Sequence, residues 1–248
     1  MPAIENSKRL IKYQFVQDLS IEKKLRTKNI DGAAIIGSEV VSYCPSRDVD
    51  RTTTFQTSFG QTPQLRLVPE DYPSPEAALS AADPGDIILL GGATDWFTNL
   101  SIDKPITITG QDGARLLPAQ FDEPIIQIRS EGVTIQDLEF SFGIVGVEGL
   151  AEATNLNISN CTFEDIFGDA IRLTGCQEIT IVDVLTASNA GRGVFLNQVD
   201  GFLLERVRST DNGGSGFEIV ANSGLVINCS SLDNQFDGFL FKDPTCLL

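Results

Sequence analysis

The chain has 248 residues, with 34 Asp+Glu against 18 Lys+Arg and no histidine, giving a formal net charge of −16. The missing imidazoles exclude a Ser-His-Asp triad, a histidine base and a His-ligated metal. The negative balance argues against a nucleic-acid backbone as partner, and no apolar run approaches the eighteen or so residues of a membrane helix.

Residues 1–30 hold seven basic side chains (Lys8, Arg9, Lys12, Lys23, Lys24, Arg26, Lys28) against three acidic ones (Glu5, Asp18, Glu22). A +4 head thus precedes a remainder of −20. This predicts a separate basic arm over residues 1–62, either lying solvated on the chain's own acidic remainder or docking it on another body or subunit. The first fifteen residues lack the apolar core of a Sec signal. Ile30 to Arg51, with Ala33 to Ile36 and Val40-Val41, offers material for a strand or two. The five cysteines (Cys44, Cys161, Cys176, Cys229, Cys246) show no C-x-x-C spacing and are odd in number. They read as free thiols rather than a disulfide framework or zinc site, so neither metal nor cofactor is expected.

Ser74 before Pro75 predicts a helix start, and the helix over Pro75–Ala82 leads through Pro84-Gly85 into a strand at Ile87–Leu90. Leu100–Ile102, Ile106–Ile108 and Ile125–Ile128 supply less regular turns within 63–132. From Val133 a repeat sets in: Val133-Thr134-Ile135, Leu156-Asn157-Ile158, Ile179-Thr180-Ile181, Phe202-Leu203-Leu204 and Leu225-Val226-Ile227 begin 23 residues apart. Leu138, Cys161, Val184, Val207 and Ser230 follow at a constant offset, and a second alternating stretch begins near Gly168, Gly191, Gly214 and Asp237. Asn160, Ser188-Asn189, Asp211-Asn212 and Asp233-Asn234 mark polar corners. Short period-2 strands cannot each bury a face alone, but stacked turns bury a continuous column. The expected fold is all-β, a parallel β-solenoid with 23-residue turns over 133–242, a short N-terminal capping helix and the separate N-terminal segment.

The opening P-E-A-A-L-S-A-A-x-P-G-D-x-I, the following K-P-I-T-I-x-G and the repeats resemble the right-handed parallel β-helix superfamily of pectate-lyase-like proteins, over residues 63–242. The resemblance implies that the helix plugs the N-terminal end of the solenoid. It says little of function, because many activities and inert shafts share this scaffold.

A constant offset within the repeat becomes a line of side chains about 4.8 Å apart. One expected outward line runs Arg172, Phe195, Glu218, Phe241; its neighbour runs Gly146, Asp169, Arg192, Ser215, Gly238. Asp169, Arg172, Arg192, Phe195 and Glu218 then form a patch of both charges around an aromatic ring. Such a patch suits a sugar, with its apolar C–H face and hydroxyl edge, or serves as an ion-pair ladder stabilising the sheet. As a carboxylate pair, Asp169 and Glu218 are expected roughly 14 Å apart, beyond glycosidase spacing. Asp165 and Asp211 share a corner about 10 Å apart, marginal for an inverting pair, although corner aspartates serve more often as turn formers.

The resemblance brings further tests. Polygalacturonase-like members carry N-T-D, D-D, G-H-G and R-I-K motifs, and alginate-epimerase-like members carry D-P-H; none is present. Pectate-lyase-like members set an Arg base beside clustered Asp calcium ligands, and Arg172 or Arg192 lacks that company. The expectation is a non-catalytic structural or recognition β-helix of a larger assembly, such as a virion tail-associated or cell-surface component. Its partners would be further copies or assembly proteins reached through residues 1–60, and a polysaccharide. The alternative is a polysaccharide lyase or glycoside hydrolase. The expected location is a virion or surface assembly, otherwise the cytoplasm. The C-terminal turn ends with only Asp243–Leu248 to cover it, so end-to-end or side-by-side association is expected.

Overall fold

The computed structural model describes residues 62–242 apart from Ala93 and Asp112, together with the backbone of two short strands nearer the N-terminus. The chain divides into two compact units, Met1–Gly60 and Gln61–Leu248. In the first, β1 (Ala33–Ile36) and β2 (Glu39–Ser42) pair antiparallel as a hairpin, Ala33 opposite Ser42. The basic cluster of residues 8–28, the docking role assigned to it, and Asp243–Leu248 lie outside the described residues.

The second unit is a parallel β-solenoid whose turns lay one strand on each of three faces. The first face carries Leu65–Val68, Ile87–Leu90, Thr107–Gly110, Thr134–Gln136, Thr154–Ser159, Gln177–Val182, the second half of Val194–Glu205, and Leu225–Ile227. The second runs from Asp95–Thr98 through Arg115–Pro118, Glu139–Ser141, Thr162–Glu164, Leu185–Ala187 and Arg208–Thr210 to Ser230–Leu232. The third runs from Leu100–Ile102 through Ile126–Ile128, Val147–Gly149, Ile171–Thr174, the first half of Val194–Glu205 and Phe217–Ala221 to Phe239–Lys242. The long strand Val194–Glu205 crosses from the third face to the first, joining them into one hydrogen-bonded sheet. Leu65–Val68, Asp95–Thr98 and Arg115–Pro118 are strands that the repeat did not announce, because their turns differ in length from 23 residues.

Left-handed backbone makes the corners. Asp137, Asn160, Asp183, Arg206 and Asn228 turn the first face into the second, each with φ between 50° and 58°. Phe142, Asp165, Ser188, Asp211 and Asp233 leave the second face, with φ between 52° and 64°. Asn and Asp tolerate this region because a short polar side chain can hydrogen-bond locally. Between corners, alternation places Ile135, Ile158, Ile181 and Leu204 inside, stacked at 23-residue intervals. Phe140 and Phe163 stack within the core, rings 4.5 Å apart.

The final turn corrects the expected constant interval. Leu203 pairs with Leu225 and Leu204 with Val226, a step of 22 residues. Val226 and Cys229 therefore pack on the core, while Leu225 and Ile227 are exposed. Ser230 does not continue the buried column of Leu138, Cys161, Val184 and Val207.

The helix α1 (Pro75–Ala81) begins where expected: Ala77 donates its N–H to Ser74 Oγ at 3.3 Å, and Ala78 and Leu79 are buried. It contacts the first strands of all three faces and so covers that end of the core. Lys104 Nζ donates to the carbonyls of Leu79 and Ala82 at the C-terminal end of the helix, Leu79 also accepting the Ala82 N–H. Beside it Asp86 accepts from the Gln64 and Asp83 amides and from Arg66. Burial would raise its pKa, but these hydrogen bonds and the guanidinium charge hold it below the ordinary value.

Candidate functional site

The third face gathers most of the charge expected to act. Gly193 and Gly216, just ahead of its strands, let the chain pass close over the column of Thr186 and Ser209, both buried, and half-buried Ser231; a Cβ on Gly193 would lie 2.1 Å from Ser209 Oγ. The strands that follow are held in register, so Glu148, Arg172, Phe195 and Glu218 stand side by side on successive turns.

Asp169 is the hub, with only 4% of its surface exposed. Its Oδ1 accepts from the backbone N–H and Nε of Arg192, both at 2.9 Å. Its Oδ2 accepts from Arg192 Nη2 at 2.8 Å and Arg172 Nε at 2.9 Å. Arg192 continues through Nη1 to Glu218 Oε2 at 3.1 Å, and Lys242 Nζ donates to Glu218 Oε1 at 2.6 Å. In the other direction Arg172 pairs with Glu148 at 3.7 Å, Gln127 donates to Glu148, and Arg129 donates to Gln127. The guanidinium carbon of Arg192 lies 3.4 Å from the centre of the Phe195 ring, a cation–π contact.

This geometry brings together Asp169, Arg172, Arg192, Phe195 and Glu218, and it alters the ends of both expected lines. Leu240, not Phe241, stands beside Glu218; Phe241 pairs with Ile219. Val147 pairs with Ile171, a 24-residue step, so Gly146 falls beside Ala170 rather than Asp169. Gly238 likewise falls beside Gly216, leaving Asp237 beside Ser215. The expected 14 Å gap also shrinks. One guanidinium grips both Asp169 and Glu218, and its two terminal nitrogens lie about 2.3 Å apart, so those carboxylate oxygens are separated by no more than about 8 Å.

Spacing therefore permits a carboxylate pair, but the electrostatics oppose one. Burial would raise the Asp169 pKa, and the Arg192 and Arg172 hydrogen bonds overcome it and lower the carboxyl below its ordinary value. Glu218 is lowered in the same way, by Lys242 and Arg192 against burial. Arg192 is raised, its two carboxylate partners outweighing desolvation. A general acid needs a raised carboxyl pKa, and a nucleophile or base needs a free lone pair; Asp169 has neither. A guanidinium also fills the space in which an inverting pair must admit water.

Asp165 and Asp211 sit at the exposed left-handed corner, φ 55° each, with Ser188 in the same position between them. Asp211 accepts from Thr210 Oγ at 3.1 Å. Their role in the fold is to form the turn. Among the described residues, no group of three or more Cys, Asp or Glu is placed to hold a metal ion. Cys161 and Cys176 are buried, free thiols whose pKa burial pushes up to about 12 and about 11, which keeps them unreactive.

Glu148, Gln127 and Lys242 belong to the network but carried no signal in the repeat, because each joins through lateral stacking. A second feature also went unread. Phe121, Phe142 and Phe167 stand exposed on three successive corners between the second and third faces. A Phe in a corner column otherwise built of Asp and Ser was the available sign.

Residues 124–245 match the family model described as the right handed beta helix region. Among solved structures, the chain is similar to a pectin methylesterase in complex with hexasaccharide VII, at 13% identity and a TM-score of 0.55. It is also similar to a mutant pectin methylesterase in complex with hexasaccharide IV, at 11% identity and 0.52. Each likeness covers 71% of this chain and 68% of the other. At these identities it establishes the fold, a right-handed parallel β-helix of pectate-lyase-like form. A search of the curated proteins found no match.

Proposed function

We propose that this right-handed β-helix is a non-catalytic structural or recognition component of a larger assembly, such as a virion tail or a cell-surface structure. The observation that carries this reading is the neutralised charge of its third face. Both oxygens of Asp169 and both of Glu218 are held by cationic side chains. The ladder spans several turns and ties them laterally, which is the work of a shaft. Apolar residues at the last turn, Phe236, Phe239 and Phe241 among them, support association at that end. The basic arm of residues 1–60 is proposed as a second contact with the assembly.

The second reading is an enzyme acting on a polysaccharide. It takes support from the pectin methylesterase neighbours and from the approach of Asp169 to Glu218. One experiment separates the two. The full chain is incubated with methyl-esterified pectin, polygalacturonate and neutral polysaccharides while methanol release, reducing ends and unsaturated products are followed. The structural reading expects no turnover above buffer and a defined oligomer in light scattering. Turnover that disappears in Glu218→Gln, with the thermal midpoint retained, would overturn it.

A further inference from the structure

Three phenylalanines make a continuous stripe outside the charged face. Phe121, Phe142 and Phe167 are 63%, 41% and 58% exposed. Phe167 stands between the others, its ring centre 6.3 Å from each, with interplanar angles of 32° to Phe121 and 43° to Phe142. The rings are thus tilted neighbours at the surface rather than a buried stack. Exposed aromatic area forfeits the burial that normally accounts for a Phe.

The stripe is also held in place. Asn99 braces the loop of Phe121: its Oδ1 accepts from the Gln120 amide at 2.6 Å, and its Nδ2 donates to the carbonyls of Gln120, Glu123 and Pro124. The Phe167 amide donates to the Gly143 carbonyl at 2.7 Å, tying two of the corners. Phe142 occupies a corner at φ 64° where the other turns place Asp165, Ser188, Asp211 and Asp233. A bulky residue is disfavoured there, and this one still leaves 41% of its surface exposed.

Size and charge select the occupant. At roughly 200 Å² for each full aromatic side chain, the exposed part of the three rings totals about 300 Å². That falls well short of the ~800 Å² per partner of a stable protein interface, but fits a few sugar rings. The rim carries exposed Asp122, Glu123, Glu164 and Asp165, and no Lys or Arg lies within 119–125, 142–146 or 164–168. Carboxylates accept hydrogen bonds from sugar hydroxyls and repel sugar carboxylates. We propose that Phe121, Phe142 and Phe167 bind an uncharged polysaccharide chain, its pyranose C–H faces stacked on the rings and its hydroxyls facing the acidic rim. The proposal deepens the recognition reading above and needs no chemistry from the Asp169 network.

Affinity electrophoresis of the full chain tests it, with hydroxyethylcellulose, galactomannan, xyloglucan and mixed-linkage β-glucan against polygalacturonate. Retardation is expected in at least one neutral gel and not in polygalacturonate. Phe121→Ala with Phe167→Ala should weaken it at least tenfold, whereas Leu65→Ala, exposed on the first face, should leave it unchanged. All three positions are exposed, so the variants are expected to keep the wild-type thermal midpoint. Absence of retardation in every neutral gel, stronger retardation by polygalacturonate, or binding unaffected by the double substitution would each overturn the proposal. So would a dimer in light scattering that the double substitution dissolves, which would assign the stripe to a second copy. Turnover with stripe-dependent binding intact would remove the non-catalytic reading and leave this one standing.

Discussion

Inside the solenoid, Asn189 Nδ2 donates to Asn212 Oδ1 at 2.8 Å, and Asn212 repeats the bond to Asn234 one turn on. Asn189 and Asn212 are buried, and their spare donors meet the carbonyls of Phe163 and Thr186. Asn212 Oδ1 also accepts the Asn189 backbone N–H. This ladder satisfies polar backbone that the corner turns away from the sheets.

Asn212→Leu should therefore destabilise the protein by about 2 kcal/mol, since it orphans the Asn189 backbone N–H in the interior. Urea unfolding measures this. An equal loss in Asn234→Leu is not expected, because Asn234 is part-exposed at the last turn and water can replace its partners.

Asp169→Ala should cost about 3 kcal/mol by leaving Arg192 and Arg172 without their shared counter-charge. Folded Asp86, Asp169 and Glu218 all have pKa values below their ordinary 3.8, 3.8 and 4.5. Protons then bind the unfolded chain more readily, so the stabilisation is complete above those ordinary values. It is lost as pH falls through the lower, folded ones. The thermal midpoint should drop between pH 5 and about 2, and Asp169→Asn should flatten that slope.

Gly193, Gly216 and Gly238 share one column, yet they should respond differently to alanine. A Cβ would lie 2.1 Å from Ser209 Oγ at Gly193 and 2.1 Å from Ser231 Oγ at Gly216, but 3.3 Å from Ser231 Oγ at Gly238. Overpacking of about 1–3 kcal/mol is expected in the first two and much less in the third. Comparable thermal midpoints in the three variants would contradict the stacking described.

The 22-residue step of the last turn also has a readout. Val226 packs on the core and Ile227 faces outward, so Val226→Ser should destabilise by at least about 1 kcal/mol more than Ile227→Ser. A constant step of 23 would reverse that order.

Much of this molecule is written along the chain. Ser74-Pro75 marks the cap helix, and Asn160, Ser188 and Asp211 mark corners, because each residue type answers to a local backbone need. The pairing of Asp169 with Arg192 could be anticipated from their 23-residue spacing, but the reach of Arg192 to Glu218 could not. Long side chains bend across turns in directions that strand arithmetic does not describe.

The step errors of the last turn share one cause. Leu225-Val226-Ile227 and Phe239-Leu240-Phe241 are apolar throughout, so alternation cannot say which side chain faces inward. Sequence alone determined the acidic shaft, the absence of imidazole chemistry, the 23-residue period and hence the stacked parallel strands, because these depend on composition and local repetition. Tertiary structure decided the register of the last turn, the closure of the carboxylates into ion pairs and the meeting of Phe121, Phe142 and Phe167. Those depend on which residues the winding sets side by side, and a one-residue change in the length of a turn re-aims the side chains of the strand that follows it.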